Sequence, residues 1–444
     1  MPLESTVRNE PSPDLTYRLL SRAGYGPRPG ELEEARALGR EKWLERQLHP
    51  EKIDDAACER KIGALPGYFS GIAELMVRDH MKVGLELLSA TVLRALYSQR
   101  QLYEAMVEFW SDHFCIFIRQ NQFVTYLKVV DDREVIRPHA LGTFRDLLFA
   151  SARSPAMLVY LDNVLNFKAN PNENYARELL ELHSLGVDGG YSQQDVEELA
   201  RILTGWTIHR RGPHKGEFLF DENEHDFTSK ELLGKTYPEG RGEEEINEVL
   251  ELLAVHPSTA RFVSTKFVRR FVADDPPQDL VEKVSKTFLE TKGDIKAMLR
   301  VIFLSEHFEK APPKLKRPHS FTLSAIRALD VPVDPSTFVI PWLTKMGQPL
   351  FQWPLPNGYP DISDAWTSTL LDRWNFVLAL AEKRKPGETA PALVKSIAKR
   401  VMGRDLPKDS LASLMEHVEE DPDDPHRESE CVAALLTSPE FLWT

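Results

Sequence analysis

Apolar residues recur every three or four positions along most of the chain, which is the spacing of one buried face of an α-helix. Gly186 and Gly205 follow two of these runs, where helix C-terminal caps belong. The pattern predicts helices from a cap at Ser12-Pro13 to Ala23, and over Glu31–Leu38, Glu41–Leu48, His80–Ile118 (broken near Ser89), Val124–Val135, Ala140–Ala152, Pro155–Leu161, Glu173–Leu185, Gln193–Leu203, Glu244–Val255, Ser258–Phe271, Leu280–Thr291, Asp294–Leu304, Ala365–Glu382, Ala392–Met402, Ser410–His417 and Arg427–Leu436. We therefore expect a mainly α fold, a large irregular helical bundle.

Two stretches interrupt this pattern. Residues 206–242 are rich in Gly, His and aromatic residues, and 216–221 is their best candidate for a β-strand, so we expect a small β-containing insertion with a hairpin. Residues 331–361 hold seven prolines and form a Pro/aromatic-rich loop in this interpretation. The predicted parts are an N-terminal helical lobe (1–205), the insertion (206–242) and a C-terminal helical lobe (243–444) that includes the loop.

Composition excludes some classes of function and does not indicate a particular one. Lys and Arg number 55 against 68 Asp and Glu, and the net charge of −13 is the opposite of what a general phosphate-backbone binder needs. We therefore expect no nucleic-acid partner. The three cysteines, Cys58, Cys115 and Cys431, are far apart and predict neither a disulfide framework nor a cysteine zinc site.

Targeting signals are also missing from the sequence as it stands. Its first residues hold no basic region followed by an apolar one, and no run of about 18 apolar residues occurs. We expect a soluble, cytoplasmic protein with no membrane span. Nucleophile and nucleotide motifs of the G-x-S-x-G, H-E-x-x-H, P-loop and G-x-G-x-x-G types do not occur either.

The densest polar segment is Asn172–Gly186, which reads N-E-N-Y-A-R-E-L-L-E-L-H-S-L-G. On an ideal helix Glu178 and Glu181 lie about 60° apart, which is chelating geometry, whereas His183 lies roughly 200° round from Glu181. A metal would therefore need ligands from other helices, of which His113 and His139 are the nearest candidates. The predicted metal ligands are His113, His139, Glu178, Glu181 and His183, and the candidate cofactor is a transition metal ion.

Two other interpretations of this segment stay open. Arg177 is four residues from both Glu173 and Glu181, so the three can form a surface ion ladder, with His183 near the helix C-terminus interacting with its dipole. Alternatively the segment carries metal-free acid-base chemistry, with Glu178 and Glu181 as general bases and Arg177 orienting an anionic group.

The helix before His113 carries two distinct stripes. Met106, Phe109, His113 and Ile116 form an apolar stripe, so His113 is expected to point inward. Glu104, Glu108 and Asp112 form the adjoining acidic stripe.

The two aromatic-rich segments, 206–227 and 351–361, are the candidate ligand-binding loops. Aromatic faces with interspersed polar groups suit an elongated ligand such as a sugar chain or a peptide. Clusters of this kind also serve as small cores that fix loops to a bundle. The predicted ligand-binding residues are Trp206, His225, Asp226, Trp353, Tyr359 and Asp361.

A family resemblance rests on the same segments. The Asn172–Gly186 segment, the D-G-G-Y at 188–191, the T-G-W at 204–206, Glu108–Phe114 and Trp353–Asp361 together resemble the bacterial family called domain of unknown function 1800, over nearly the whole chain. The resemblance implies no particular activity. It does imply that many relatives carry an export signal, which is not visible here.

Two functions are consistent with these observations. One is an enzyme with a carboxylate and histidine site between the helices that bear His113, His139 and Glu178, with or without a metal. The other is a non-catalytic binding or assembly protein that presents its aromatic loops to a polysaccharide, a peptide or a partner protein.

Overall fold

A computed structural model describes residues 14–384, 394–399, 406, 408–420 and 427–444. The α-helices are Leu15–Arg22, Glu31–Leu38, Arg40–Leu48, Ala56–Ile62, Pro66–Phe69, Ile72–Leu75, His80–Tyr97, Gln101–His113, Gln122–Asp131, Arg137–His139, Phe144–Ala152, Pro155–Tyr160, Glu173–Glu178, Gln193–Ile202, Glu243–Ala254, Pro257–Phe271, Gln278–Thr291, Ile295–Phe303, Glu306–Glu309, Pro318–Leu329, Ile340–Lys345, Leu370–Ala381, Lys408–Glu420, Arg427–Leu436 and Pro439–Leu442, and residues 394–399 are helical too. Short 3-10 helices cover Pro50–Lys52, Asn163–Leu165, Glu222–Glu224 and Ser363–Thr369, and π-helical turns cover Asp132–Ile136, Leu179–Ser184 and Pro335–Val339. The predicted mainly α fold is confirmed.

The first helix begins two residues later than the sequence pattern indicates. It starts at Leu15, because the Asp14 carboxylate accepts a hydrogen bond from the amide of Tyr17 at 3.0 Å and so caps the helix. The predicted cap at Ser12-Pro13, and parts of the predicted helix 392–402, lie outside the described residues.

The predicted helical stretch from His80 to Ile118 does form two helices, but its break lies elsewhere and its second helix ends at His113. The break falls after Tyr97 and not near Ser89. The buried carboxylate of Asp55 accepts hydrogen bonds from the Ser98 hydroxyl and the Gln99 amide, each at 2.8 Å, and these bonds hold the turn between the helices. The second helix, Gln101–His113, is therefore separate from the first and ends at His113.

The insertion contains more β-structure than predicted. Trp206–Ile208 pairs antiparallel with Phe218–Phe220, which confirms the small β-containing insertion. A second hairpin pairs Lys230–Leu232 with Lys235–Tyr237. Its two-residue turn, at residues 233 and 234, has φ of 50° and 73°, as in a type I′ turn. Leucine at the first turn position is unusual there, so this hairpin was not predicted.

The Pro/aromatic-rich loop is less irregular than predicted. Pro335–Val339 is π-helical and continues into the helix Ile340–Lys345. Pro335 stands in the first turn of this helical stretch, where the missing amide donor costs nothing. The irregular parts of the loop are therefore residues 331–334 and the residues that follow Lys345.

Two large hydrophobic clusters form the core. The first consists of buried residues between Tyr17 and Ala311. The second consists mainly of buried residues between Leu315 and Leu442, packed against side chains of the helix His80–Tyr97. The first cluster includes residues on both sides of the insertion, and the division into three parts stays a prediction. No helix in the described part of the chain has the length and apolarity needed to cross a bilayer. The cytoplasmic location stays a prediction as well.

Candidate functional site

A cavity of about 310 Å³ lies where the two hydrophobic clusters meet. Its walls are the helices Gln101–His113 and Pro257–Phe271 and the loop that follows Gln352. The lining residues are Phe109, Asp112, His113, Lys266, Arg269, Arg270, Arg317, Trp353, Asn357, Gly358, Tyr359, Pro360, Asp361 and Ile362. Four of these side chains are cationic and two are carboxylates, so the walls are predominantly positive.

The acidic stripe of the helix Gln101–His113 is buried or half-buried and is paired with arginines. Glu104 receives two hydrogen bonds from Arg137, at 3.1 and 3.0 Å. Asp112, two turns further on, receives one from Arg317 at 2.9 Å. Both acids are held by guanidinium groups from distant parts of the chain, which makes the stripe a fixed ionic framework.

Glu108 is the centre of this framework. Its carboxylate accepts hydrogen bonds from Arg317, from Arg270 at 3.1 Å and from the Tyr25 hydroxyl at 2.9 Å, and it lies 3.2 Å from Nδ1 of His319. Burial opposes the charged form, but Arg270, His319 and Arg317 together hold the pKa of Glu108 well below its usual range. The carboxylate is therefore permanently ionised and structural.

The loop reaches the cavity because of one glycine. Gly358 has a φ of +73° and lies so close to the helix end that a Cβ there would overlap the backbone oxygen of Asp112. The next acid, Asp361, lies 3.6 Å from Arg270 and 3.7 Å from Lys314. Burial opposes ionisation of Asp361, yet Arg270, Lys314 and Arg317 lower its pKa to about 2.

The aromatic part of the wall comes from the same loop. The rings of Trp353 and Tyr359 lie 5.0 Å apart, and Tyr359 packs in turn on Trp366 at 6.0 Å. The indole nitrogen of Trp353 donates to Asn357 at 2.8 Å, which fixes the ring. The predicted ligand-binding residues Trp353, Tyr359 and Asp361 are thus brought together in one cavity.

Lys266 and His113 form a hydrogen-bonded pair on the opposite wall. The Nζ atom of Lys266 lies 3.0 Å from Nδ1 of His113, whose Nε2 lies 3.1 Å from the backbone oxygen of His183. A carbonyl oxygen only accepts, so Nε2 carries the proton and Nδ1 accepts from Lys266. Burial, then the charges of Lys266 and His183, hold the pKa of His113 well below its usual range, and the imidazole is neutral.

Burial also lowers the pKa of Lys266, to about 8, although Asp112 and Asp361 oppose this shift. Among the described residues, no carboxylate lies within ion-pair distance of Lys266 or of Arg269, whose Nε donates to the backbone oxygen of Asp274 at 3.3 Å. These two cations contrast with Arg270 and Arg317, which are both paired with acids. The cavity therefore holds two cations that lack a carboxylate partner in the described chain.

The predicted metal ligands do not gather at one point. His113 and His183 are both buried, and their ring centres lie 6.3 Å apart. Burial and the charge of Lys266 lower the pKa of His183 to about 3. His139 is only half-buried, and its pKa is lowered by burial. In the described residues no group of three or more His, Cys, Asp or Glu side chains is arranged to hold a metal ion. A bound metal stays a prediction.

The segment that carries Arg177, Glu178 and Glu181 departs from the ideal helix assumed for it. The α-helix ends at Glu178, and Leu179–Ser184 is π-helical, so the assumed angles between these side chains do not hold. Burial, then the charge of Glu181, raises the pKa of Glu178. Arg177 pairs with Glu173 at 2.8 Å, and none of the three predicted catalytic residues lines the cavity.

The predicted ligand-binding residues of the insertion have structural contacts instead. Trp206 is fully buried. His225 is also buried, with Nδ1 2.7 Å from the backbone oxygen of Thr204 and Nε2 3.1 Å from Glu245. Asp226 accepts a hydrogen bond from Arg201 at 2.8 Å. Trp206, His225 and Asp226 do not line the cavity, and in these contacts they fix the insertion to the helical core.

Sequence reasoning missed the cationic side of the site. Lys266, Arg269 and Arg270 come from one amphipathic helix, and Arg317 immediately precedes another that was not predicted. The spacing of these cations in the sequence could have revealed that they share one side of the helix. Positions i, i+3 and i+4 place the first three cations on one side of the helix.

The fold and the cavity define a mainly helical protein with a predominantly cationic cavity between two hydrophobic cores. The chain belongs to the family described as Protein of unknown function (DUF1800), whose model matches residues 18–443. The family resemblance drawn from the sequence is thereby confirmed. No curated protein and no solved structure matches the chain.

Proposed function

We propose that the chain binds a small organic anion in the cavity and that the anionic group lies between Lys266 and Arg269. The observation that carries this proposal is the pair of cations without a carboxylate partner in the described residues. Buried or half-buried charges are normally paired, because removing an ion from water without compensation costs several kcal/mol. An anionic ligand would supply the missing partner.

The size and the walls of the cavity restrict the ligand further. About 310 Å³ is at the lower end for ligand pockets, which favours a small molecule over a polymer chain. The rings of Trp353 and Tyr359 offer an apolar wall for a planar or ring-shaped part of that molecule. Because the aromatic residues of the insertion are engaged in its own packing, we favour this function over presentation of both loops to a polymer.

The groups around the proposed ligand are suited to proton transfer, which favours an enzyme. Lys266 has a pKa of about 8, close to the operating range of an acid-base group. The pKa of Asp112 is raised, first by burial and then by the charge of Glu108. The sequence-based assignment of Arg177, Glu178 and Glu181 as catalytic residues stays a prediction, and the same binding assay tests it.

The test is calorimetric titration of the purified chain with benzoate and, as a neutral analogue of the same shape, benzamide. Benzoate should bind and benzamide should bind at least about tenfold more weakly, because only the carboxylate can form charge-assisted hydrogen bonds. Arg269→Gln should weaken benzoate binding by about 10- to 100-fold.

The matched control is Arg261→Gln, which removes a cation from the exposed side of the same helix, where Arg261 bonds to Gln278. It should leave the affinity for benzoate unchanged. Equal binding of benzoate and benzamide, or equal losses in the two arginine variants, would contradict the proposal. Glu178→Gln and Glu181→Gln are expected to bind benzoate as the unaltered chain does.

A further inference from the structure

Lys266 has the surroundings of a nucleophilic amine. Its Nζ atom faces a cavity, and within the described chain it has no carboxylate in ion-pair contact that would hold it as an ammonium ion. The hydrogen bond to Nδ1 of His113 uses one N–H of the amine. A neutral amine can make the same bond and still keep its lone pair for a ligand, so the pair orients the nitrogen in both protonation states.

We propose that Lys266 forms an imine with the carbonyl group of an organic anion, of the oxo-acid class, that is held in the cavity. This proposal rests on the proposed function, because it uses the same anion site. Arg269 stands three residues after Lys266, and side chains at this spacing are helix neighbours, with Cβ atoms about 5–6 Å apart. A carboxylate on Arg269 would thus bring an adjacent carbonyl carbon to the amine.

The step balances without any further reactant. The ammonium group first loses a proton to water in the cavity. The neutral nitrogen attacks the carbonyl carbon, a C–N bond forms, and the electron pair of the carbonyl double bond moves to oxygen. That oxygen takes up two protons and leaves as water while the nitrogen releases one. Overall, ammonium and carbonyl become a protonated imine and water, with no oxidation or reduction.

Neighbouring groups support this chemistry. Asp112 lines the same cavity, and its carboxyl group is the candidate for passing protons to the departing oxygen. The charged groups around Lys266 are Asp112, Asp361 and Arg269, together with the neutral His113. Because Lys266 has no carboxylate in contact among the described residues and stands beside the cationic Arg269 in a cavity, its neutral amine is more available than that of an exposed lysine.

Other buried lysines lack this combination. Lys128 is fully buried in an ion pair with Asp131 at 2.6 Å. Lys316 is buried against the hydroxyl groups of Tyr17, at 3.2 Å, and Ser324, at 3.0 Å. Neither lines the cavity. The inference is therefore specific to Lys266.

The test uses glyoxylate, the smallest oxo acid with an aldehyde carbonyl, together with cyanoborohydride, which reduces an imine to a stable carboxymethyl amine. The full chain is treated near pH 7, and the modified lysines are identified and timed by peptide mass spectrometry. Lys266 should be carboxymethylated at least about tenfold faster than Lys286, which is 75% exposed, and benzoate should slow the reaction at Lys266 only.

Lys266→Arg keeps the positive charge and cannot form an imine, so it should retain benzoate binding and lose the fast-labelled site. Lys286→Arg is the matched control and should keep it. If Lys266 is labelled no faster than Lys286 while benzoate binds, the imine is refuted and the anion site stands. If benzoate does not bind and Lys266 is not labelled, the proposed function fails as well.

Discussion

Replacing Lys266 by methionine should stabilise the folded chain and at the same time weaken benzoate binding. Methionine matches the length and the apolar stem of lysine but removes the ammonium group. The lysine is unfavourable in the folded state, because burial removes water from a charge that no carboxylate in the described residues pairs with. Replacing a residue that is retained for function at a cost in stability is expected to increase stability and weaken function.

The magnitude follows from the pKa of Lys266, which burial lowers from 10.5 to about 8. Each unit corresponds to about 1.4 kcal/mol of interaction that the charged form loses on folding, which gives an upper limit of about 3.5 kcal/mol. Because Lys266 is only half-buried and faces a cavity, solvent screening reduces this value. We expect Lys266→Met to raise the free energy of unfolding by about 1–2 kcal/mol near pH 7.

The stabilisation by Lys266→Met should depend on pH. Below pH 8 the lysine is protonated in both the folded and the unfolded chain, so the wild type carries the full penalty. Between pH 8 and 10.5 the unfolded chain binds a proton that the folded chain has lost, and the stability of the wild type rises relative to the variant. The advantage of Lys266→Met should therefore shrink as the pH rises through this range.

The assay is urea unfolding followed by circular dichroism, near pH 7 and near pH 9.5. Lys286→Met is the control, and its effect should be small at both pH values because the side chain is exposed and joined only to Glu290 by a surface contact at 3.7 Å. If Lys266→Met unfolds at lower urea concentration than the wild type near pH 7, or if its advantage does not change with pH, the reasoning is refuted.

Three further variants test which contacts stabilise the fold and which are superficial. Glu108→Gln should lower the free energy of unfolding by about 1–3 kcal/mol, because Arg270 and Arg317 each lose one of their two carboxylate partners; unchanged stability in urea unfolding would contradict this. Gly358→Ala should cost about 1–3 kcal/mol and weaken benzoate binding, because its φ is +73° and the new methyl group would overlap Asp112; unchanged calorimetric affinity would argue against this role of the loop. Arg177→Ala should change stability by no more than about 0.5 kcal/mol, because its ion pair with Glu173 is exposed, and a larger change in the same urea assay would show that the contact is not superficial.

Local periodicity was sufficient for most of the fold and for one wall of the site. The apolar stripe predicts that His113 points inward, and the residue is 1% exposed. The acidic stripe beside it also faces the protein interior, with Glu104 buried and Glu108 and Asp112 half-buried. Both predictions depend only on residues within a few turns of one helix, where spacing determines which side chains are neighbours.

The contacts that complete the site could not be predicted in the same way. Lys266 and His113 are 153 residues apart, and Asp112 and Arg317 are 205 apart. No alternation or motif in a single sequence encodes which distant helices meet. The side-chain angles assumed for Asn172–Gly186 are wrong for another reason, since the π-helical turn changes the direction of the side chains after Glu178 and the motif does not indicate that turn.

The balance of charges distinguishes the scaffold from the reactive part of the site. Glu108 is satisfied by several cations, so its protonation state is fixed, and removing it should destabilise the chain. Lys266 lacks a carboxylate partner among the described residues, so its protonation state is adjustable, and removing it should stabilise the chain. Opposite signs for Lys266, which lines the cavity, and Glu108, which supports its wall, are not expected if both charges were structural. Measured signs of this kind would support the proposed chemistry at Lys266 independently of any ligand.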